Sequence, residues 1–196
     1  MPNPKPLFNW LIVIAVTAVT IVLNVWFFNR GLTTGRNLQL NLFSVSWVLN
    51  FTLFIWVSVA ESLLKPPLTS PYFDSFKFEK KGRFYTKLGV NWFRKFLVLI
   101  GWEKLTRANA PVKNDIAALE KYERATRKSE FGHGIAAIID MILTVYIYTR
   151  FGFAGTYWMI ALNILLNGYP IMLQRYNRPR LRTILKRHFQ ANRLVV

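Results

Sequence analysis

The chain has 196 residues, of which 53% are hydrophobic, and its 26 Lys and Arg against 9 Asp and Glu give a formal net charge of +17. Such apolar content with so much positive charge is rare in soluble domains and typical of membrane proteins with basic loops. The absence of cysteine excludes a disulfide framework, a cysteine-ligated metal site and a thiol nucleophile. No nucleic-acid-binding motif accompanies the charge, so we expect no nucleic-acid partner.

Two long apolar runs come first in the chain, at residues 7–28 and 42–64. Each is long enough to cross a hydrocarbon core of about 30 Å. The first is too long for the core of a signal peptide and is followed by no small-residue cleavage site. The second is closed by Pro66 and Pro67, because two adjacent prolines stop a helix. We therefore predict an N-terminal transmembrane helix pair over residues 1–64.

Residues 65–130 form a basic segment that we predict to be cytoplasmic or interfacial. DSFKFEKKGRFYTKL alternates aromatic and charged residues, and NWFRKFLVLIGW has a short apolar core between aromatic ends. At about 12 residues this core is too short to span, so it should lie in the interface or re-enter. NDIAALEKYERATRKSE starts with an Asn or Asp cap and predicts a helix that runs into the third span.

Two shorter apolar runs follow at residues 134–149 and 157–174, with RFGFAGT as the turn between them. We predict a C-terminal transmembrane helix pair with a basic tail over residues 131–196. Basic residues concentrate in the central segment and the tail, so the positive-inside rule places both termini in the cytoplasm. The expected fold is an all-α polytopic protein of the cell membrane. It has about four transmembrane helices and an interfacial or re-entrant segment between the second and third, in one integral membrane domain.

Ionisable residues form a stripe along the third span. At 3.6 residues per turn, Glu130, His133 and Asp140 share a helix face that runs from the cytoplasmic interface into the bilayer. Ionisable groups inside a span are costly, which makes each a functional candidate. An imidazole beside a carboxylate suits a general base, because the carboxylate fixes the tautomer and stabilises the charge. We predict these three residues to be catalytic, with His133 as the base.

A structural interpretation of the same stripe stays open. Glu130 and His133 lie where the helix should meet the lipid headgroups, and polar residues at that depth are often plain interfacial groups. Asp140 could instead hold helices together by pairing with a polar side chain of the last two spans. The candidate partners are Tyr146, Asn163 and Asn167.

The fourth span carries a second polar stripe that leads into the basic tail. Its members step by three and four residues and are Asn163, Asn167, Pro170, Gln174 and Arg178. Pro170 has no N–H to donate to the carbonyl of Leu166, and such a freed carbonyl is tolerated only where it faces protein or a wet cavity. We therefore predict that residues 174–178 form the mouth of an interfacial site. The later basic residues are better explained as a positive-inside signal that binds anionic lipid: Arg182, Lys186, Arg187 and Arg193.

Three blocks of the sequence resemble one family. They are SFKFEKKGRFYTKLGVNWFRKF at residues 75–96, RKSEFGH at residues 127–133 and NGYPIMLQRYNRPRLRTILKR at residues 167–187. In this order they are similar to the glycosyl-4,4'-diaponeurosporenoate acyltransferases, which complete staphyloxanthin-type carotenoids in bacterial membranes. The resemblance implies transfer of a fatty acyl group onto a sugar hydroxyl of a glycosylated carotenoid. It covers residues 75–187 and leaves the first two spans outside.

The resemblance also implies which residues form the site. The roles of these residues are our own hypothesis: His133 is the base, Glu130 orients it, and Arg175 with Arg178 stabilises an oxyanion or a donor phosphate. The substrate-binding residues carried over from the blocks are Phe78, Glu79, Arg83, Asn167, Gln174, Arg175, Tyr176, Asn177, Arg178 and Arg180. The spacing H-x6-D, from His133 to Asp140, differs from the H-x4-D of the glycerolipid acyltransferases and does not support their fold.

The expected partners are a lipid or glycolipid acceptor, an acyl donor and anionic membrane lipids. No bound cofactor or metal is expected, and acyl-CoA or an acyl-carrier protein would bring the acyl group from the basic, cytoplasmic side. Two alternatives stay open: an acyltransferase with another lipid acceptor, and a non-enzymatic membrane scaffold that binds anionic lipid. The scaffold predicts that the tail arginines matter and His133 does not, whereas acyl transfer predicts the reverse.

Overall fold

The computed structural model describes residues 4–33, 38–102 and 116–193, and within these ranges the chain forms helices and turns without any strand. The main helices are α1 (Pro4–Thr33), α2 (Leu38–Leu64), α3 (Arg83–Lys87), α4 (Val90–Leu99), α5 (Ile116–Asn163) and α6 (Tyr169–Arg193). Two 3₁₀ turns, Pro71–Phe73 and Lys77–Glu79, precede α3, and a π-helical turn, Ile164–Gly168, joins α5 to α6. The all-α expectation is confirmed for the described residues.

Among the described residues, three helical stretches are long and apolar enough to cross a membrane, as judged by length and composition: Pro6–Arg30, Asn41–Leu64 and Ile116–Gln190. The third contains a break at Gly152, whose φ of 64° and ψ of −164° are not helical. This region of the backbone map is open almost only to glycine, and Gly152 lies in the predicted RFGFAGT turn. The count of four spans stays a prediction, because the apolar stretches number three.

The chain divides into two compact units. Unit 1 consists of residues 1–67 and 132–168. In this unit α1 packs along α2, with Trp56 Nε1 donating to Thr17 Oγ1 at 2.7 Å and Asn24 Nδ2 donating to Thr52 Oγ1 at 2.8 Å. Its buried core comes from α2 and α5, and consists of Leu42, Leu49, Leu53, Ala136, Ile147 and Met159.

Unit 2 consists of residues 68–131 and 169–196. Its short elements pack on α6 at two close approaches. Gly82 has a φ of 87°, and a Cβ built there would lie 3.0 Å from the Cα and carbonyl oxygen of Tyr176, so the close approach needs glycine. On α4, the Phe93 ring stacks on Tyr169 with their centroids 5.2 Å apart. The short apolar core of the central segment thus forms α4, whereas the predicted cap at residues 114 and 115 lies outside the described residues.

Candidate functional site

His133 lies in unit 1 and has an amide as its hydrogen-bonding partner. Its Nδ1 is 3.1 Å from Oδ1 of Asn167, and the Phe54 ring packs on the imidazole with the centroids 5.6 Å apart. Asn167 is buried and belongs to the π-helical turn before α6. Such single-turn π segments are frequent at functional sites because they redirect side chains. The structure therefore brings together two residues that the sequence predicted for the site.

Two further asparagines continue this polar chain inside unit 1. Asn167 Nδ2 donates to Oδ1 of Asn50 at 2.7 Å and to Oδ1 of Asn163 at 3.0 Å. The amide of Asn50 donates to the carbonyl of Ser46 at 2.9 Å, and the amide of Asn163 donates to the carbonyl of Ala137 at 3.1 Å. Hydrogen bonds of this kind satisfy polar side chains that apolar surroundings would otherwise make costly.

Asp140 is the third predicted catalytic residue, and it is fully buried in unit 1. Neither of its carboxylate oxygens accepts a hydrogen bond of normal geometry from the described residues, and the side chain that interacts with it is the Asn50 amide. Of the partners that the sequence suggested, Asn163 and Asn167 direct their amide donors to other oxygens, and Tyr146 is half exposed. A buried carboxylate with so few hydrogen bonds is expensive to keep, and none of the three partners that the sequence suggested donates to it.

Glu130 lies in unit 2 and is buried between two arginines. Its Oε1 accepts from Nη1 of Arg175 at 2.7 Å, and its Oε2 accepts from Nη2 of Arg178. Arg178 also donates from Nε to Oγ1 of Thr126 at 2.9 Å and from Nη1 to the carbonyl of Phe73 at 3.1 Å. Both carboxylate oxygens of Glu130 are therefore engaged by arginines of α6.

Glu79 is the second buried carboxylate of unit 2. Its Oε1 accepts from Nε of Arg175 and from the hydroxyl of Tyr85, both at 2.6 Å, and its Oε2 accepts from the backbone N–H of Phe76 at 3.0 Å. Burial and the bond to Glu79 raise the pKa of Tyr85, so this phenol stays protonated and donates. With Glu130, Arg175 and Arg178, Glu79 forms a buried cluster of two negative and two positive charges, called here the ion cluster.

A further group of charged side chains in unit 2 is joined by Arg182 and Glu123. Arg182 donates to Glu123 Oε1 at 2.7 Å and to Asp74 Oδ1 at 2.6 Å, and Arg127 donates to Glu123 Oε2 at 2.6 Å. Arg127 also reaches the carbonyl of Leu68 at 3.0 Å. In the described residues Arg182 thus has protein partners, which the explanation as a plain lipid-binding charge did not anticipate.

The other predicted binding residues are spread over unit 2. Gln174 donates to Oγ of Ser129 at 3.2 Å, and the Arg180 guanidinium lies 3.6 Å from the centroid of the Tyr176 ring. Asn177 is half-buried, and Arg83 is exposed. Phe78 is also exposed and stacks on Phe76 at a centroid distance of 5.7 Å. Of the predicted residues in this unit, the structure joins Glu79, Glu130, Arg175 and Arg178 directly.

Sequence reasoning missed three residues that complete these clusters. Asn50 lies inside an apolar span, where any polar side chain is a functional candidate, and this signal was present in the sequence. Thr126 and Tyr85 carry no comparable signal, because a single hydroxyl in a mixed segment has many ordinary roles. Their importance follows only from the buried donors and acceptors that they satisfy.

A family model described as glycosyl-4,4'-diaponeurosporenoate acyltransferase matches residues 69–187. The matched range includes His133, Asn167 and all four members of the ion cluster, and it leaves α1 and α2 outside. Searches of curated proteins and of solved structures gave no match.

Proposed function

Because the chain belongs to the glycosyl-4,4'-diaponeurosporenoate acyltransferase family, we propose that it transfers a fatty acyl group onto a sugar hydroxyl of a glycosylated carotenoid, with His133 as general base. The family match over residues 69–187 establishes the reaction class as acyl transfer. The observation that carries the assignment of the base is the position of His133, held through Nδ1 in a buried polar cluster. His188 is the only other histidine of the chain.

In the proposed reaction His133 removes the proton of the sugar hydroxyl as its oxygen attacks the thioester carbonyl of the donor. A carbon–oxygen bond forms and the carbon–sulfur bond breaks, giving an ester and a thiolate. The protonated His133 then returns its proton to the thiolate, so the base is regenerated without a covalent enzyme intermediate. Direct transfer suits a chain that has no cysteine. The proposed donor is acyl-CoA or an acyl-carrier protein, either of which is polyanionic and is attracted by a chain of charge +17.

The ion cluster has a supporting part in this proposal. Arg175 and Arg178 were predicted to stabilise an oxyanion or donor phosphate, but their donors already bind carboxylates, carbonyls and a hydroxyl of unit 2. A buried pair is strongly destabilised when one partner is lost, so these bonds would have to break before a substrate could take their place. We propose that the cluster fixes the 3₁₀ turns before α3 onto α6 within unit 2.

The proposed location is the cell membrane. In the part of the chain that the structure describes, three helical stretches have the length and composition to cross it, and the break at Gly152 supports division of the last stretch into two spans. We propose four spans with both termini in the cytoplasm. This orientation would place the basic central segment and the basic tail on the side where acyl donors are found.

The test is lipid mass spectrometry on cells that accumulate the glycosylated carotenoid and express the full chain. Wild type should give an ester-linked acyl product, and His133→Ala at equal abundance should give none. His188→Ala is the matched control, because it removes the other histidine in the basic tail and should leave the product unchanged.

Each departure from that result has a distinct meaning. Ester formation by His133→Ala would show that His133 is not the base, and it would leave the assignment of the chain as an acyltransferase intact. No ester from wild type would rule out the carotenoid acceptor, and the next measurement would be a comparison of all lipids with and without the chain.

A further inference from the structure

Two backbone carbonyls fix the direction of the polar chain that ends at His133. A backbone carbonyl can only accept, so the side-chain group of Asn50 that faces the carbonyl of Ser46 must be its NH₂. The same argument applies to Asn163, whose NH₂ faces the carbonyl of Ala137. The side-chain oxygens of both asparagines are therefore the groups turned toward Asn167.

These two oxygens determine how Asn167 is oriented. Its NH₂ has two hydrogens, and they go to Oδ1 of Asn50 at 2.7 Å and Oδ1 of Asn163 at 3.0 Å. Rotating the amide by half a turn would bring three oxygens face to face, which no hydrogen bond could satisfy. The remaining oxygen of Asn167 must then be the atom 3.1 Å from His133 Nδ1.

We infer that Asn167, directed by Asn50 and Asn163, is the positioning residue that keeps neutral His133 protonated at Nδ1, so that Nε2 carries the lone pair that accepts the substrate proton. An oxygen acceptor beside Nδ1 requires a hydrogen there, and a neutral imidazole has only one. The inference rests on the proposed function, in which His133 is the base. It assigns to an amide the tautomer-fixing part that the sequence suggested for Glu130, whose two oxygens bind Arg175 and Arg178.

The inference gives α2 a part in the site. Asn50 and Ser46 lie on α2, outside the matched residues 69–187, whereas Asn163 and Asn167 lie inside that range. The π-helical turn Ile164–Gly168 begins directly after Asn163 and contains Asn167. Helix α2 thus helps to orient the base, because loss of Asn50 would leave one hydrogen of the Asn167 amide without its acceptor.

The test is ¹⁵N NMR of the full chain in detergent or nanodiscs with ¹⁵N-labelled histidine, at a pH where the rings are neutral. Only two histidines contribute, and a spectrum of His133→Gln assigns the signals of His188. We expect the wild type to show His133 with a protonated Nδ1 and an unprotonated Nε2. A spectrum with the proton on Nε2, from a chain that makes ester, would overturn the inference while leaving the proposed function intact.

Variants on α2 test whether Asn50 affects the tautomer of His133. Asn50→Leu should shift His133 toward the Nε2-protonated tautomer and slow ester formation by roughly 10- to 100-fold, the size typical of lost outer hydrogen bonds at a site. Thr52→Val is the matched control: it is also on α2 and also loses a bond to an asparagine, Asn24. The control should leave both tautomer and rate near wild type.

The outcomes separate the two proposals. A folded Asn50→Leu with unchanged tautomer and rate would overturn the part assigned to α2. Ester formation by His133→Ala, alongside the expected wild-type tautomer, would overturn the proposed base and with it the catalytic meaning of the tautomer. If Asn50→Leu does not fold, the wild-type spectrum still decides the inference, because it needs no variant.

Discussion

Nε of Arg175 lies 2.6 Å from Oε1 of Glu79, although 96 positions separate the two residues in the chain. Both side chains are buried, with exposed fractions of 7% and 1%. Glu79→Gln keeps the shape of the side chain and removes its charge, which leaves the guanidinium with one carboxylate fewer. We expect the free energy of unfolding to fall by ~3–5 kcal/mol, the usual cost of breaking one side of a buried ion pair. Thermal unfolding in detergent, monitored by tryptophan fluorescence, measures this change in the free energy of unfolding.

Lys77→Gln is the control for that experiment, because Lys77 lies on the same 3₁₀ turn and is exposed. Removal of an exposed charge should change the free energy of unfolding by no more than about 0.5 kcal/mol. Equal effects of the two substitutions would show that the ion cluster does not hold the turn, and the supporting part proposed for it would be abandoned.

A second prediction concerns Gly82, the first glycine of the block at residues 75–96. Gly82→Ala places a Cβ 3.0 Å from the backbone of Tyr176 at a φ of 87°. We expect a loss of ~1–3 kcal/mol in the free energy of unfolding, from backbone strain and the displaced neighbour. Gly134→Ala is the contrast, since a Cβ there meets nothing within 4 Å. It should stabilise the chain by up to about 1 kcal/mol, because alanine is the better helix former. If Gly82→Ala left the free energy of unfolding unchanged, the close approach of Gly82 to the backbone of Tyr176 would be contradicted.

The ion cluster shows how far the sequence could predict the site. Glu79, Glu130, Arg175 and Arg178 were all selected from the blocks, and the structure joins them. Their partners could not be predicted, because pairing depends on how segments 45 to 96 residues apart pack, and helical periodicity describes only one helix at a time. The arginines were therefore assigned to substrate, whereas the structure gives them protein acceptors.

The polar chain of unit 1 shows the same limit. Periodicity placed Asn163 and Asn167 on one face of the fourth span, and it singled out His133. It could not connect Asn167 to Asn50, which is 117 positions away. The helical fold itself was easier to predict, since long apolar runs and prolines are local signals.

A third prediction tests the orientation in the membrane. The chain contains no cysteine, so single cysteines can be introduced without background labelling. Arg30→Cys, at the end of the first apolar stretch, should react with a membrane-impermeant maleimide added outside intact cells. Lys186→Cys, in the basic tail, should react only after the membrane is opened. The opposite pattern would invert the proposed topology, and labelling of both from outside would place an even number of spans between them, instead of the three that we propose.

The last prediction concerns Asp140, whose carboxylate is fully buried and accepts no hydrogen bond of normal geometry from the described residues. Asp140→Asn removes the charge with little change of shape. We expect the free energy of unfolding to rise by ~1–3 kcal/mol, because burying a charge with few hydrogen bonds costs more than burying a neutral amide, and we expect the yield of ester to fall. Stability gained while activity is lost is typical of residues kept for function. Asp74→Asn is the control: its side chain is 65% exposed and pairs with Arg182, so both quantities should stay near wild type. Higher stability with full ester yield would show that Asp140 is not a catalytic residue, and its burial would then have no functional explanation.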